Sequence, residues 1–197
     1  MDIQQASLLA FSFIFSLTIH EYSHACAALV LGDTTAKDQG RLTLNPLKHL
    51  DLLGIMMLFL IGLGWAKPVP VNIENLINKR RSYYIVALAG PLSNIIIAIL
   101  STIAFYLTDS QSVFNSLFYI MVYINILLAL FNLFPIPPLD GSNIIYSFLS
   151  DKLAYQYSKV VGKYGNYGFL IIIILFNIFP QIIFSPINII LKILGLK

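Results

Sequence analysis

Long apolar runs alternate with short polar connectors along the chain, and the length of each run limits what it can become. A bilayer core takes about 20 mostly apolar residues per helix. Residues 6–31, 83–107 and 113–134 meet that length and predict three membrane-spanning helices. Between the first two lies the polar stretch "GDTTAKDQGRLTLNPLKHLD", in which Gly40 and Asn45-Pro46 mark turns and "RLTLN" alternates like a short strand. The apolar run 52–65 is about 14 residues long, contains Gly54, Gly62 and Gly64, and is marginal as a full span. The polar segment "WAKPVPVNIENLINKRR" follows, with prolines that forbid a helix but permit an edge strand. "AGPLSN" interrupts the span 83–107, and "DSQS" at 109–112 links it tightly to the next. "NLFPIPPLDGS" breaks that helix with three prolines, and a polar stretch runs on to about Tyr167. The last apolar block, 169–196, carries Pro180 and Pro186 and reads as one span plus a short terminal helix.

Composition sharpens this pattern. The chain has 197 residues, 58% hydrophobic and 11% charged, against about 45–50% and 25% in soluble domains. It lacks the polar surface to cover itself in water and is read as an integral membrane protein. The net charge of +3 lies in short basic clusters between apolar runs, which suits membrane orientation and argues against nucleic-acid binding. No basic region and no cleavage site precede His20, so the first span is expected to stay. The single cysteine, Cys26, cannot form an internal disulfide and reads as a small packing residue. The expected fold is all-α and polytopic: a three-helix catalytic core, at about 6–142, with one or more C-terminal spans. Short strand or re-entrant elements fall between the first two core helices, and residues 1–197 form a single domain.

The chemistry sits inside the first span. His20-Glu21-Tyr22-Ser23-His24 matches H-E-x-x-H, and residues four apart on a helix share a face, so both imidazoles can reach one zinc ion. A charged side chain at mid-membrane costs roughly 2.5–3.5 kcal/mol on insertion scales, so three ionisable groups in five residues argue for use. Glu21 is placed to act as a general base on a water at that metal. Catalytic zinc takes three protein ligands. The remaining histidine, His49, reads as an interfacial residue and not as the third ligand. Asp140 in "FPIPPLDGS" reads equally as a carboxylate ligand or as a turn aspartate before Gly141.

Taken together, "HEYSH", "AGPLSN" and "NLFPIPPLDG" resemble the site-2 protease family, intramembrane zinc metalloproteases that cut transmembrane substrates. The resemblance runs from about Leu17 to Ser142. "GRLTLNPLKHLD" and "GWAKPVPVN" are similar to the compact bacterial branch without PDZ or CBS domains. It implies that His20, His24 and Asp140 ligate one zinc ion, that Glu21 is the catalytic acid/base, and that Asn132 stabilises the oxyanion or holds substrate. It also aligns Asn94 with a family asparagine near the active site. "WAKPVPVN" then resembles the family's substrate edge, although the residues alone read as well as a simple connector.

The function expected is hydrolysis of peptide bonds in or near transmembrane segments by water that zinc activates, with no covalent intermediate. Two other classes compete: an inactive relative acting as a membrane chaperone or interaction partner, and a zinc transporter. A transporter should spread ionisable groups over several helices, whereas residues 83–107 and 113–134 carry none with a charge. Expected partners are a transmembrane protein substrate and a membrane-protein regulator, with no nucleic acid. The basic residues between 31 and 83 and their absence from "DSQS" place the active site toward the cytoplasmic side of a bacterial inner membrane. The run 52–65 is then expected not to cross.

Overall fold

The computed structural model describes residues 2–61 and 64–196, without the side chains of 57–61, 166 and 169. Gly62 and Leu63, at the end of the short apolar run, lie outside the described residues. The first helix, α1, spans Ile3–Val30, and the Asp2 side chain caps it by accepting from the Gln5 N–H at 2.7 Å. The short helix α2 (Thr35–Asp38) and a 3-10 turn at Pro46–Lys48 lead to α3, Leu52–Ile61. Two further 3-10 turns, Ile73–Asn75 and Lys79–Ser82, precede α4, Tyr83–Leu107. Then come α5 (Val113–Asn132), α6 (Asp140–Phe148), α7 (Asp151–Ile178) and α8 (Gln181–Ile193).

Among the described residues three helical stretches are each long and apolar enough to cross a membrane, Ile3–Val30, Lys79–Leu107 and Val113–Asn132, and Asp151–Gly165 with Leu170–Ile178 would make a fourth if that bent pair is one span. The first three are those that the run lengths predict. Phe13 and Leu17 of α1 pack against Ile124 and Leu128 of α5. On the other side of α5, Val122 and Ile126 join Ala98 of α4 with Ile183, Ile187 and Leu191 of α8. These contacts hold α4 and α5 as a hairpin, and Asn115 closes its turn by donating to the Phe105 carbonyl at 2.9 Å.

Between α1 and α4 the expected strands do not form among the described residues. One antiparallel bridge, Leu50 to Ala66, stands alone, with the Lys67 N–H donating to the His49 carbonyl at 2.8 Å. Pro68 and Pro70 have no N–H to give, so a ladder cannot propagate. Side chains satisfy this backbone instead. Arg41 donates to the Lys67 carbonyl at 2.7 Å, and the buried Asp33 accepts from the Asn72 N–H at 2.7 Å. Burial pushes the Asp33 carboxyl up, but the donors from Thr35, Asn72 and Asn75 outweigh it and hold it below the usual carboxylate range. The ten residues of α3 make a helix about 15 Å long, half a hydrocarbon core.

The C-terminal block also divides differently from its sequence pattern. Helix begins at Asp151, well before the apolar block, and the axes of Asp151–Gly165 and Leu170–Ile178 differ by 82°. Phe179 and Pro180 then separate that helix from α8.

Candidate metal centre

His20, Glu21 and His24 lie in the second half of α1, buried in spite of their polarity. One helical turn brings the two imidazoles together, with their Nε2 atoms 3.0 Å apart and the rings edge to face. Asp140 completes the group from α6. Its Oδ2 is buried without a hydrogen-bond partner and lies 3.3 Å from Nε2 of His20 and of His24. The three donor atoms thus form a triangle with edges of 3.0, 3.3 and 3.3 Å. A zinc ion bound tetrahedrally at about 2.0–2.1 Å sets its donors roughly 3.3 Å apart, so this triangle fits one face of its coordination shell. Burial works against charge on Asp140, but the facing imidazoles outweigh it and hold its carboxyl well below the usual range.

The opposite face of α4 is shaped for the histidines. Val86, Gly90 and Asn94 lie four residues apart and share one side of the helix. The Val86 carbonyl is 2.7 Å from His24 Nδ1, and Asn94 Oδ1 is 2.6 Å from His20 Nδ1. Gly90 sits between them. A Cβ there would lie 2.4 Å from His24 Nε2 and 2.6 Å from His20 Nε2, so only glycine leaves the rings their space. Behind Asn94, its Nδ2 donates to Asn125 Oδ1 at 2.9 Å. Asn125 Nδ2 donates to Ser16 Oγ at 2.7 Å and to the Met121 carbonyl at 2.8 Å. Asn94, Asn125 and Ser16 are fully buried.

Asp140 is delivered by different means. The prolines at 135, 137 and 138 end the preceding helix, and Asp140 opens α6 as its first residue. A Cβ on Gly141 would lie 2.2 Å from the Leu133 carbonyl oxygen and 2.4 Å from that of Phe134, so glycine permits the close approach. At the far end of α6, Arg80 donates to the carbonyls of Tyr146, at 3.0 Å, and of Leu149. It also pairs with Asp151 at 2.6 Å. This satisfies carbonyls that a helix end leaves open and ties α6 to the start of α4.

Glu21 points toward the extended segment after the bridge, and its Oε2 accepts from the Val69 N–H at 2.8 Å. The other sequence candidates fall elsewhere. Asn132 closes α5 with its Nδ2 donating back to the Leu128 carbonyl at 2.9 Å, and no hydrogen bond joins it to the cluster. His49 is fully buried and outside the cluster, its Nε2 2.7 Å from the Thr43 carbonyl oxygen. Cys26 is half-buried and outside the cluster. Sequence reasoning missed Gly90, Arg80 and Asn125. For Asn125 a signal existed: an amide midway along an apolar span needs a buried partner.

Comparison with known proteins identifies the family. The model of Peptidase family M50 matches residues 108–176, a range that includes Asp140 but not the paired histidines. "Putative zinc metalloprotease YwhC" of Bacillus subtilis is 37% identical over 177 residues, which cover 85% of this chain and 79% of that protein. "Putative zinc metalloprotease Rip2" of Mycolicibacterium smegmatis is 32% identical, over 85% of this chain and 66% of its own length. Rip2 of Mycobacterium tuberculosis H37Rv is 30% identical, over 83% of this chain and 64% of its own length. No solved structure matches the chain. Similarity of this extent to YwhC, together with the family match, shows that the chain belongs to peptidase family M50, the site-2 protease family.

Proposed function

We propose that this metallopeptidase hydrolyses peptide bonds in or near the transmembrane segments of membrane proteins. His20, His24 and Asp140 hold one zinc ion, and Glu21 is the general base. The observation that carries the reading is the unpartnered Oδ2 of Asp140, 3.3 Å from both imidazole nitrogens, with the buried Glu21 next to His20 in the chain. Zinc, when bound, supplies Lewis acidity that polarises the scissile carbonyl and brings the pKa of water toward about 7. Glu21 takes the proton of the attacking water and returns it to the leaving amine. The Val69 N–H fixes one of its carboxylate oxygens while it does so. The extended segment beside Glu21 suits a substrate unwound from its helix and laid alongside as a strand. Asn132 serves the oxyanion by releasing the Leu128 carbonyl that it now holds.

The site opens toward the cytoplasm in this reading. Because α1 and α6 share the cluster, the C-terminal ends of α1 and α5 lie on one side of the bilayer. Arg80 reaches α6 from the start of α4, so α4 begins on that side as well. Residues 31–83 therefore make no net crossing, and their basic residues favour the cytoplasmic face of a bacterial cell membrane. Single cysteines at Lys48 and Lys67, both exposed, should label from that one face in a background without Cys26. Labelling from opposite faces would overturn the topology.

The mechanism is tested with Glu21→Gln. This variant should retain zinc and lose hydrolysis by about 10²–10⁴-fold, the usual cost of a lost general base. The measurement compares cleaved membrane peptides in cells carrying the wild type or the variant. Cleavage near the wild-type level would remove Glu21 from the mechanism.

A further inference from the structure

The orientation of a buried amide is ordinarily ambiguous, because oxygen and nitrogen look alike. Here a backbone group removes the ambiguity. The Met121 carbonyl can only accept, so the Asn125 atom 2.8 Å from it must be Nδ2. Asn125 then turns Oδ1 toward Asn94, and that oxygen also only accepts. Asn94 must therefore present Nδ2 to Asn125, at 2.9 Å, and Oδ1 to His20, at 2.6 Å. His20 Nδ1 consequently carries a proton, which leaves Nε2 as the nitrogen that can donate its lone pair to a metal. His24 reaches the same tautomer in one step, since its Nδ1 meets the Val86 carbonyl at 2.7 Å.

We infer that Asn125, which touches no metal ligand, is a positioning residue that sets the tautomer of His20 through Asn94 and so aims an unprotonated Nε2 at the metal position. The inference rests on the metal assignment for its purpose, whereas the NMR readout of its test does not. The two helices make the requirement unequal for the two rings. His24 lies beside a backbone carbonyl of α4, whereas His20 has only a side-chain amide, which is free to rotate unless something holds it. Asn125 holds it, and Met121 and Ser16 hold Asn125. A residue that only joined helices would contribute to stability and leave the proton on His20 unaffected.

The test reads which ring nitrogens carry protons in metal-free protein by ¹⁵N NMR. The chain has three histidines, and His24 is the internal control. In the wild type, His20 and His24 should both show protonated Nδ1. Asn125→Leu leaves Asn94 free to turn its Nδ2 toward His20. His20 should then lose the proton on Nδ1 while His24 keeps its own, and zinc affinity should fall about 10–100-fold. Adding Asn94→Asp to Asn125→Leu supplies a carboxylate that can only accept. It should restore protonated Nδ1 and most of the zinc affinity, which a purely structural role for Asn125 would not allow. An unprotonated Nδ1 on His20 of the wild type would overturn the inference without any variant having to fold. So would Asn125→Leu with an unmoved His20 signal and unchanged zinc affinity.

Discussion

The two sides of the metal cluster are built in different ways. On the histidine side, one turn of one helix sets the spacing, and α4 adds only room at Gly90 and hydrogen-bond acceptors at Val86 and Asn94. On the aspartate side nothing is periodic. Asp140 reaches the same point through a proline-stopped chain, a glycine pressed against two carbonyls, and a nine-residue helix tied down at its far end by Arg80. The spacing on the first side is a property of local geometry, set as long as α1 is helical, and needs from α4 only the room that Gly90 leaves. The second is a property of tertiary packing and depends on contacts far from the metal position.

The strongest way to break the histidine side is to fill its space. Gly90→Ala puts a Cβ within 2.4 and 2.6 Å of the two Nε2 atoms, so both rings must leave their positions. Zinc affinity should fall by about 100-fold or more, the upper end of what disturbed ligand support costs. Circular dichroism would check that the helices persist. Retained affinity would mean that the rings do not face α4.

A smaller effect is expected on the aspartate side. Arg80→Ala frees the far end of α6 without touching a donor atom, and zinc affinity should fall about 10-fold. Arg80→Lys should recover only part of that loss, because an ammonium cannot fork across several acceptors as a guanidinium does. Equal affinities for wild type and Arg80→Ala, measured by zinc titration, would show that Asp140 is placed without this tie.

The same contrast explains what could be read from the sequence. The spans and the His20–Glu21–His24 face were legible because lipid length and helical period act locally on the chain. Asp140 read equally as a turn residue, since a D-G pair does not reveal that Gly141 lets the chain pass close to Leu133 and Phe134. The role of Gly90 was not legible, because a glycine in "AGP" looks like any tolerated interruption of a membrane helix even where the motif carries a resemblance. The "RLTLN" alternation suggested a strand, but Arg41 turned out to be buried and bonded to the Lys67 carbonyl, and Thr43 to face His49. Side chains took the places where a ladder would have formed. Periodicity cannot distinguish those two ways of satisfying a backbone.

The central claim is that two histidines of one helix and an aspartate from another hold a single zinc ion for Glu21. Its most direct test is a zinc titration of the wild type and Asp140→Ala against a competing chelator. The account predicts one zinc per wild-type chain and an affinity weakened by more than about 100-fold in Asp140→Ala, beyond the cost of losing a supporting hydrogen bond. Unchanged stoichiometry and affinity in Asp140→Ala would contradict it and take Asp140 out of the metal centre.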